Sequence, residues 1–416
     1  MNDNDEKFLK DFRSMSTFGA TPGGGVDRQA ATAADGQTRN WFAGLLEGHG
    51  FSVHYDSIGN QFGLLETVPG APYVIAGSHL DSQPLGGRYD GAFGVLAAAH
   101  AGIRLSKRWR EGGVVPQYNF AVVNWFNEEG SRFKPSMMGS SVFTGKLAAE
   151  VALKTVDVNG TTVSAALHSV GTIGEFSDID VRAYAEIHIE QGRFMEENGL
   201  TIGLVHSTWS ANKYEFIVHG EQSHTGATMI ADRRDALLGA SMLVVAAREI
   251  ADEYSTDDTM VITSVGELHV LPNSPVVVAR EVNLLLDLRC TDPTVLAAAD
   301  ASLHRRITEI EKRANVEISQ QASHDWTSKE YDTRGLELAA EVSTRLDYPH
   351  GTVRTLAGHD STNMMDVVPT VMLFVPSENG VSHNELEHTK DSDIVAGARA
   401  LTEVMAALCA GTLDRD

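Results

Sequence analysis

Histidine and carboxylate side chains recur at the ends of apolar runs along this chain. His79 and Asp81 close the run Tyr73-Val74-Ile75-Ala76-Gly77-Ser78, and Asp90 lies in the polar, glycine-rich loop after it. Glu128 and Glu129 follow Phe120-Ala121-Val122-Val123-Asn124-Trp125-Phe126. His188 ends Tyr184-Ala185-Glu186-Ile187, and His383 follows Val371 to Val375 after a short glycine-containing loop. A lone histidine or a glutamate pair at such a place is ordinarily a solvated group, and Asp90 before Gly91 reads by itself as a turn. Repetition at successive run ends gives the set its meaning. Five candidate ligands and two further carboxylates, with one carboxylate to share, are what two divalent cations about 3.5 Å apart require. Imidazole together with carboxylate suits zinc, manganese, cobalt or nickel better than calcium, which prefers oxygen throughout. Asp81, two positions after His79, is placed to orient that imidazole. Neighbouring side chains leave an extended chain in opposite directions, so one glutamate of the pair can bind metal while the other stays free as a base.

Such groups must be held by strands whose ends face one way. Gln37 to Leu46 has helical periodicity, and Phe51 to Tyr55 with Asn60 to Leu65 reads as a hairpin. Tyr73 to Ser78 has buried-strand length, Gly94 to Leu105 is an alanine- and leucine-rich helix, and Phe120 to Phe126 is nearly all apolar, as in a strand covered on both faces. The alternation predicts an α/β fold with a largely parallel or mixed sheet, whose strand ends are where such folds place their sites. A second unit follows. Tyr214 to Val218, Met260 to Val270, Glu281 to Arg289 and Val316 to Ile318 read as strands, and Asp232 to Ala251 and Pro293 to Arg313 as helices. That β-α-β-β-α-β order is ferredoxin-like. The α/β pattern then resumes with a helix from Leu336 to Leu346, a strand from Thr370 to Val375 and a helix from Ser392 to Leu408. The expected organisation is a larger domain, 1–208 with 326–416, interrupted by an inserted unit, 209–325.

Composition excludes several kinds of partner. Of 416 residues, 33 are basic and 56 acidic, a formal charge of −23. Such a field repels polyanions, so no nucleic acid is expected as a partner. No basic amphipathic stretch suits an anionic membrane surface, and no apolar run is long enough to span a bilayer. Cys290 and Cys409 cannot build a disulfide framework or a cysteine-rich zinc site. The polar opening Met1-Asn2-Asp3-Asn4-Asp5-Glu6-Lys7 lacks the apolar core of a signal peptide. The expectation is a soluble cytoplasmic protein.

The segments carrying these residues resemble a known family. Gly77-Ser78-His79-Leu80-Asp81-Ser82, Gly87-Arg88-Tyr89-Asp90-Gly91, Asn127-Glu128-Glu129-Gly130-Ser131-Arg132-Phe133 and His188-Ile189-Glu190-Gln191-Gly192 are similar to the signature segments of the hydantoinase/carbamoylase amidases of the M20 metallopeptidase superfamily. The likeness runs from Gly23-Gly24-Gly25-Val26-Asp27-Arg28 to Ser382-His383-Asn384-Glu385, with the motifs in order. It implies a two-metal catalytic α/β domain interrupted by a ferredoxin-like lid or dimerisation domain, and a homodimer formed through that lid. It also implies two divalent metal ions per subunit: His79, Asp90 and His188 on one, and Asp90, Glu129 and His383 on the other, with Glu128 as the general acid and base.

Gly220-Glu221-Gln222-Ser223-His224-Thr225-Gly226 looks like the family's lid motif, which implies that His224 hydrogen-bonds the oxyanion. Pro272-Asn273-Ser274 and Asp287-Leu288-Arg289 look like the segments that bind the substrate carboxylate, a task for which the planar guanidinium is suited. Gln191 and the backbone near Gly358 would complete the pocket. The chain departs from the usual pattern at Met229-Ile230, Pro275, Val278-Ala279 and around Trp209, which could add an aromatic wall. The implied reaction is hydrolysis of an N-carbamoyl L-amino acid. Allantoate, ureidoglycolate or an N-acyl amino acid are alternative substrates, and a catalytically silent ligand-binding relative is the alternative outside the class.

Overall fold

The apolar runs carrying the histidines and glutamates become neighbouring strands of one mixed, eight-stranded sheet. The computed structural model describes residues 2–112, 115–177, 179–257 and 259–414. The strand order is Ser52–Tyr55, Gln61–Leu65, Asn119–Trp125, Tyr73–His79, Val181–Ile189, Thr370–Val375, Ile202–Ser207 and His350–Arg354. The four central strands, from Asn119–Trp125 to Thr370–Val375, are parallel to one another and antiparallel to the strands that flank them, so their C-terminal ends lie along one edge. They are buried almost throughout, which accounts for their unbroken apolar sequence.

Helices Ala92–Arg110 and Asp391–Cys409 close one face, packing Phe93, Leu96, Leu401 and Met405 with Val74 and Ala76 of the sheet. A helix that the sequence reading passed over, Asp3–Met15, buries Phe8, Leu9, Phe12 and Met15 in the same core. Its acidic first turn obscures a four-residue apolar stripe at helical spacing. On the opposite face Phe62, Trp125, Tyr184 and Met364 form a separate cluster.

The chain divides into two compact units, Met1–His206 with Tyr331–Asp416, and Ser207–Glu330. Within the second, the strand order Glu317–Trp326, Ser210–His219, Glu281–Cys290, Val261–Leu271 is antiparallel at each step. Helices Ala236–Tyr254 and Pro293–Ala314 bury Leu243, Ile250, Leu303 and Ile310 against Phe216, Leu284, Leu286 and Leu288. The elements follow in the order β-α-β-β-α-β, with a short antiparallel pair, Ser223–His224 and Val277–Val278, added.

The first of these helices starts at Ala236 instead of Asp232, because the Asp235 carboxylate caps it by accepting from the Leu238 amide at 3.1 Å. The last strand runs on to Trp326, well past Ile318. It pairs with Ser210–His219, so backbone hydrogen bonds carry it through a polar stretch, Ser319-Gln320-Gln321, that periodicity cannot recognise. At the junction, Ser207 and Glu330 bridge antiparallel, the Thr208 amide donates to the Lys329 carbonyl at 2.9 Å, and the Tyr331 amide to the His206 carbonyl at 2.9 Å. Among the described residues no helix is long and apolar enough to cross a membrane.

Candidate metal centre

Parallel pairing brings four distant segments to one edge of the sheet. His79 is the last residue of its strand, His188 the penultimate residue of the next, and Glu128 and Glu129 lie just past Trp125. Asp90 sits between Tyr73–His79 and the helix beginning at Ala92, while His383 follows the turn Glu378–Gly380. Two triads result, His79–Asp90–His188 and Asp90–Glu129–His383, with the ligand atoms of each within 4.8 Å of one another. Asp90 Oδ1 lies 3.5 Å from His79 Nε2 and 3.0 Å from His188 Nε2, and its Oδ2 is 3.2 Å from His383 Nε2. His383 Nε2 is 3.3 Å from Glu129 Oε2. Gly91 has φ +61°, and a Cβ there would lie 2.3 Å from His79 Nε2, so glycine is what lets that imidazole approach Asp90.

The donors fit divalent cations. His79 Nδ1 lies 2.9 Å from the Asp81 carbonyl and His188 Nδ1 2.9 Å from the Ile189 carbonyl. A carbonyl only accepts, so in the neutral rings the proton sits on Nδ1 and both Nε2 lone pairs face inward. His79 Nε2 thus confronts Asp90 Oδ1 and Glu128 Oε2, each 3.5 Å away, an array of lone pairs that calls for positive charge between them. At His188 that lone pair also accepts from the Gly91 amide at 2.9 Å.

Two details differ from the sequence reading. It is the carbonyl of Asp81 that lies within hydrogen-bond distance of His79, whereas its carboxylate accepts from the amides of Glu128 and Glu129 at 3.2 and 3.3 Å. The glutamates also diverge for another reason than strand pleat. The strand ends at Trp125, and Asn127 turns the chain with a left-handed φ of +52°. Glu128 then faces His79, while Glu129 accepts from the Gln83 amide at 3.1 Å and its side chain at 2.8 Å.

The electrostatics follow from five acids and two imidazoles that are largely buried, with the half-exposed His383 ring at their rim. Burial pushes Glu128 well above the ordinary carboxylate range, and the Asp360, Glu129 and Asp81 charges add to this against His79. Burial also raises Asp81 to about 7 and, aided by Asp90, raises Glu129. Burial opposes ionisation of Asp90 too, yet His188, His383 and His79 hold its carboxyl well below the usual range. Burial works against charge on His79, but Glu128, Asp90 and Asp81 outweigh it and raise the imidazole well above its ordinary value. His383 is raised to about 9, its burial overcome by Asp90 and Glu129. Bound cations would reverse the upward pull on the carboxylates.

The remaining candidates fall in two places. In the first unit, Gln191 donates from Nε2 to Asp90 Oδ2 at 2.8 Å, and its Oε1 is buried without a partner. Gly358 lies in the loop before His359, whose buried ring sits 4.5 Å from that of His188. His224, Asn273 and Arg289 belong to the inserted unit. His224 is exposed, and its Nδ1 accepts from the Gly226 and Ala227 amides at 3.0 and 3.2 Å, which leaves the proton on Nε2. Asn273 occupies a turn with φ +51°. The Arg289 guanidinium stacks 5.0 Å from the Trp209 ring centroid and pairs with Asp287 at 2.7 Å. Sequence reasoning passed over Ser382 and Glu387, which border Asp90; the only clue was their closeness to His383 in the chain.

The chain matches peptidase family M20/M25/M40 over residues 75–407. It is 56% identical over 416 residues to a Mycolicibacterium smegmatis protein described only as a candidate hydrolase, covering 99% of this chain and 94% of that one. It is 32% identical over 401 residues to the N-carbamoyl-L-amino-acid amidohydrolase of Rhizobium meliloti (96% and 95% covered). Identity is 30% over 395 residues to the allantoate amidohydrolase of Escherichia coli (93% and 94%). A crystal structure of a hydantoinase/carbamoylase family amidase from Burkholderia vietnamiensis superimposes with a TM-score of 0.91 at 34% identity, over 97% of each chain.

Proposed function

The chain belongs to peptidase family M20/M25/M40, and from that premise we propose that it hydrolyses an N-carbamoyl L-amino acid to the amino acid, carbon dioxide and ammonia. Like its named relatives it is an amidohydrolase, a hydrolase of carbon–nitrogen bonds other than peptide bonds. The observation that carries the reading is the pair of triads sharing Asp90, with Glu128 beside them and outside both.

His79, Asp90 and His188 would hold one ion, and Asp90, Glu129 and His383 the other, with zinc, manganese, cobalt or nickel suited to the mixed donors. When bound, the two ions supply Lewis acidity that polarises the ureido carbonyl and makes hydroxide available near neutral pH. Glu128 takes the proton of the attacking water and returns it to the leaving nitrogen. Asp81, through the Glu128 and Glu129 amides, keeps base and ligand apart. His224 Nε2–H serves the oxyanion. Arg289 and Asn273 anchor the substrate carboxylate, and Gln191 with the Gly358 backbone lines the ureido end.

In this reading the inserted unit is a ferredoxin-like lid and dimerisation domain. Two features support a second copy as its partner. Val261–Leu271 is an edge strand with Ile262, Leu268 and Leu271 exposed, and helix Ala236–Tyr254 exposes Leu237, Leu238 and Val245. The reaction is tested by screening metal-loaded protein for ammonia release. The panel holds N-carbamoyl amino acids of both hands, β-ureidopropionate, allantoate and N-acyl amino acids. Ammonia from the N-carbamoyl L-amino acids is expected. Ammonia from allantoate alone, or amino acid freed only from the N-acyl compounds, overturns the substrate assignment.

A further inference from the structure

The loop bearing His383 is fastened by two glutamates that each occupy the open side of a glycine turn. Glu385 Oε1 accepts from the Gly23 amide at 3.2 Å and from the Thr21 hydroxyl. Glu387, buried, reaches the turn before Asp90, where its Oε1 accepts from the amides of Tyr89 and Asp90 at 2.9 and 3.0 Å. A Cβ on Gly87 would lie 2.0 Å from that oxygen, so the carboxylate fills the space a side chain would take.

Its other oxygen matters more. Ser382 Oγ lies 2.9 Å from Glu387 Oε2 and 3.1 Å from Asp90 Oδ2, and a hydroxyl has one proton to give. A proton given to Asp90 would occupy a lone pair of the carboxylate that both triads share; given to Glu387, it leaves that lone pair open. Resting on the two-metal reading, we propose that Glu387 is a positioning residue of the centre. It ties the Asp90 turn to the His383 loop and draws the Ser382 proton away from Asp90.

Glu387→Gln keeps the size and one acceptor for the two amides, but offers Ser382 an N–H and so turns the serine proton onto Asp90. In zinc titrations with a competing chelator, the weaker of the two ions should bind about 10–100-fold less tightly. Its kcat should fall and be restored by added zinc, with KM unchanged. The double variant Ser382→Ala/Glu387→Gln, which removes the competing proton, should regain most of that affinity. Gly87→Ala, which displaces the carboxylate from the far side, should weaken the same ion and keeps the test open if Glu387→Gln does not fold. Wild-type affinity for both ions in Glu387→Gln or in folded Gly87→Ala overturns the proposal, as does a double variant no better than Glu387→Gln. Fewer than two ions on the wild-type protein would overturn the two-metal reading itself.

Discussion

Asp90 offers one oxygen to His79 and His188 and the other to His383, whereas Glu128 approaches His79 from outside both triads. The two acids should therefore fail differently. Asp90→Asn is expected to lose metal, measured as ions per chain after dialysis. Glu128→Gln should keep both ions and lose about 10²–10⁴-fold in kcat; activity near wild type would remove Glu128 from the role of base. His224→Ala should cost about 10²–10³-fold in kcat with metal content unchanged. The histidines and carboxylates stood out because His79, Glu128, Glu129 and His188 end apolar runs, while Asp90 and His383 lie in the loops that follow such runs. What the run ends could not reveal was local geometry: the glutamate pair diverges after a left-handed turn at Asn127, and Asp81 meets His79 through its backbone. Glu387 was hidden because its partners are amides, which carry no signature in side-chain sequence.

The helix Asp3–Met15 is held to the sheet layer by apolar burial and by one acid. Asp5 accepts from Arg399 Nη2 at 2.5 Å, from Arg104 Nη2 at 3.3 Å and from the Asn2 amide at 2.9 Å. Those arginines belong to the two helices that cover the sheet. Burial would raise the Asp5 carboxyl, but Arg399 and the Asn2 amide, helped by Arg104, hold it below its ordinary value. A carboxyl depressed on folding stabilises fully above its unfolded pKa of about 3.9 and loses that contribution as pH falls through the folded value. Asp5→Asn should then cost about 1–3 kcal/mol near neutral pH, read as a lower denaturation midpoint. The gap from wild type should narrow below about pH 4; a constant gap across that range would show that the charge is not what matters. Long apolar elements such as Thr370–Val375 were read to the residue, while Glu317–Trp326 was cut short because pairing, not composition, extends it.

At the scale of the molecule, the edge strand Val261–Leu271 is where a second copy is expected. Leu268→Lys places a charge on that edge, where lysine blocks strand addition. The variant should elute as a monomer in light-scattering chromatography and keep its metal. A dimer of unchanged stability would move the interface elsewhere. The junction has a consequence of its own. The chain enters and leaves the inserted unit side by side, at the Ser207–Glu330 bridge with the Thr208–Lys329 and Tyr331–His206 hydrogen bonds about it. A short turn joining His206 to Tyr331 would close the chain without it, and all five candidate ligands lie outside the excised stretch. The residues proposed to hold metal and those proposed to anchor the substrate carboxylate are then encoded in separately replaceable stretches of chain. On that proposal, a lineage would acquire a new substrate by grafting a different cartridge at the same bridge, leaving the five candidate ligands untouched.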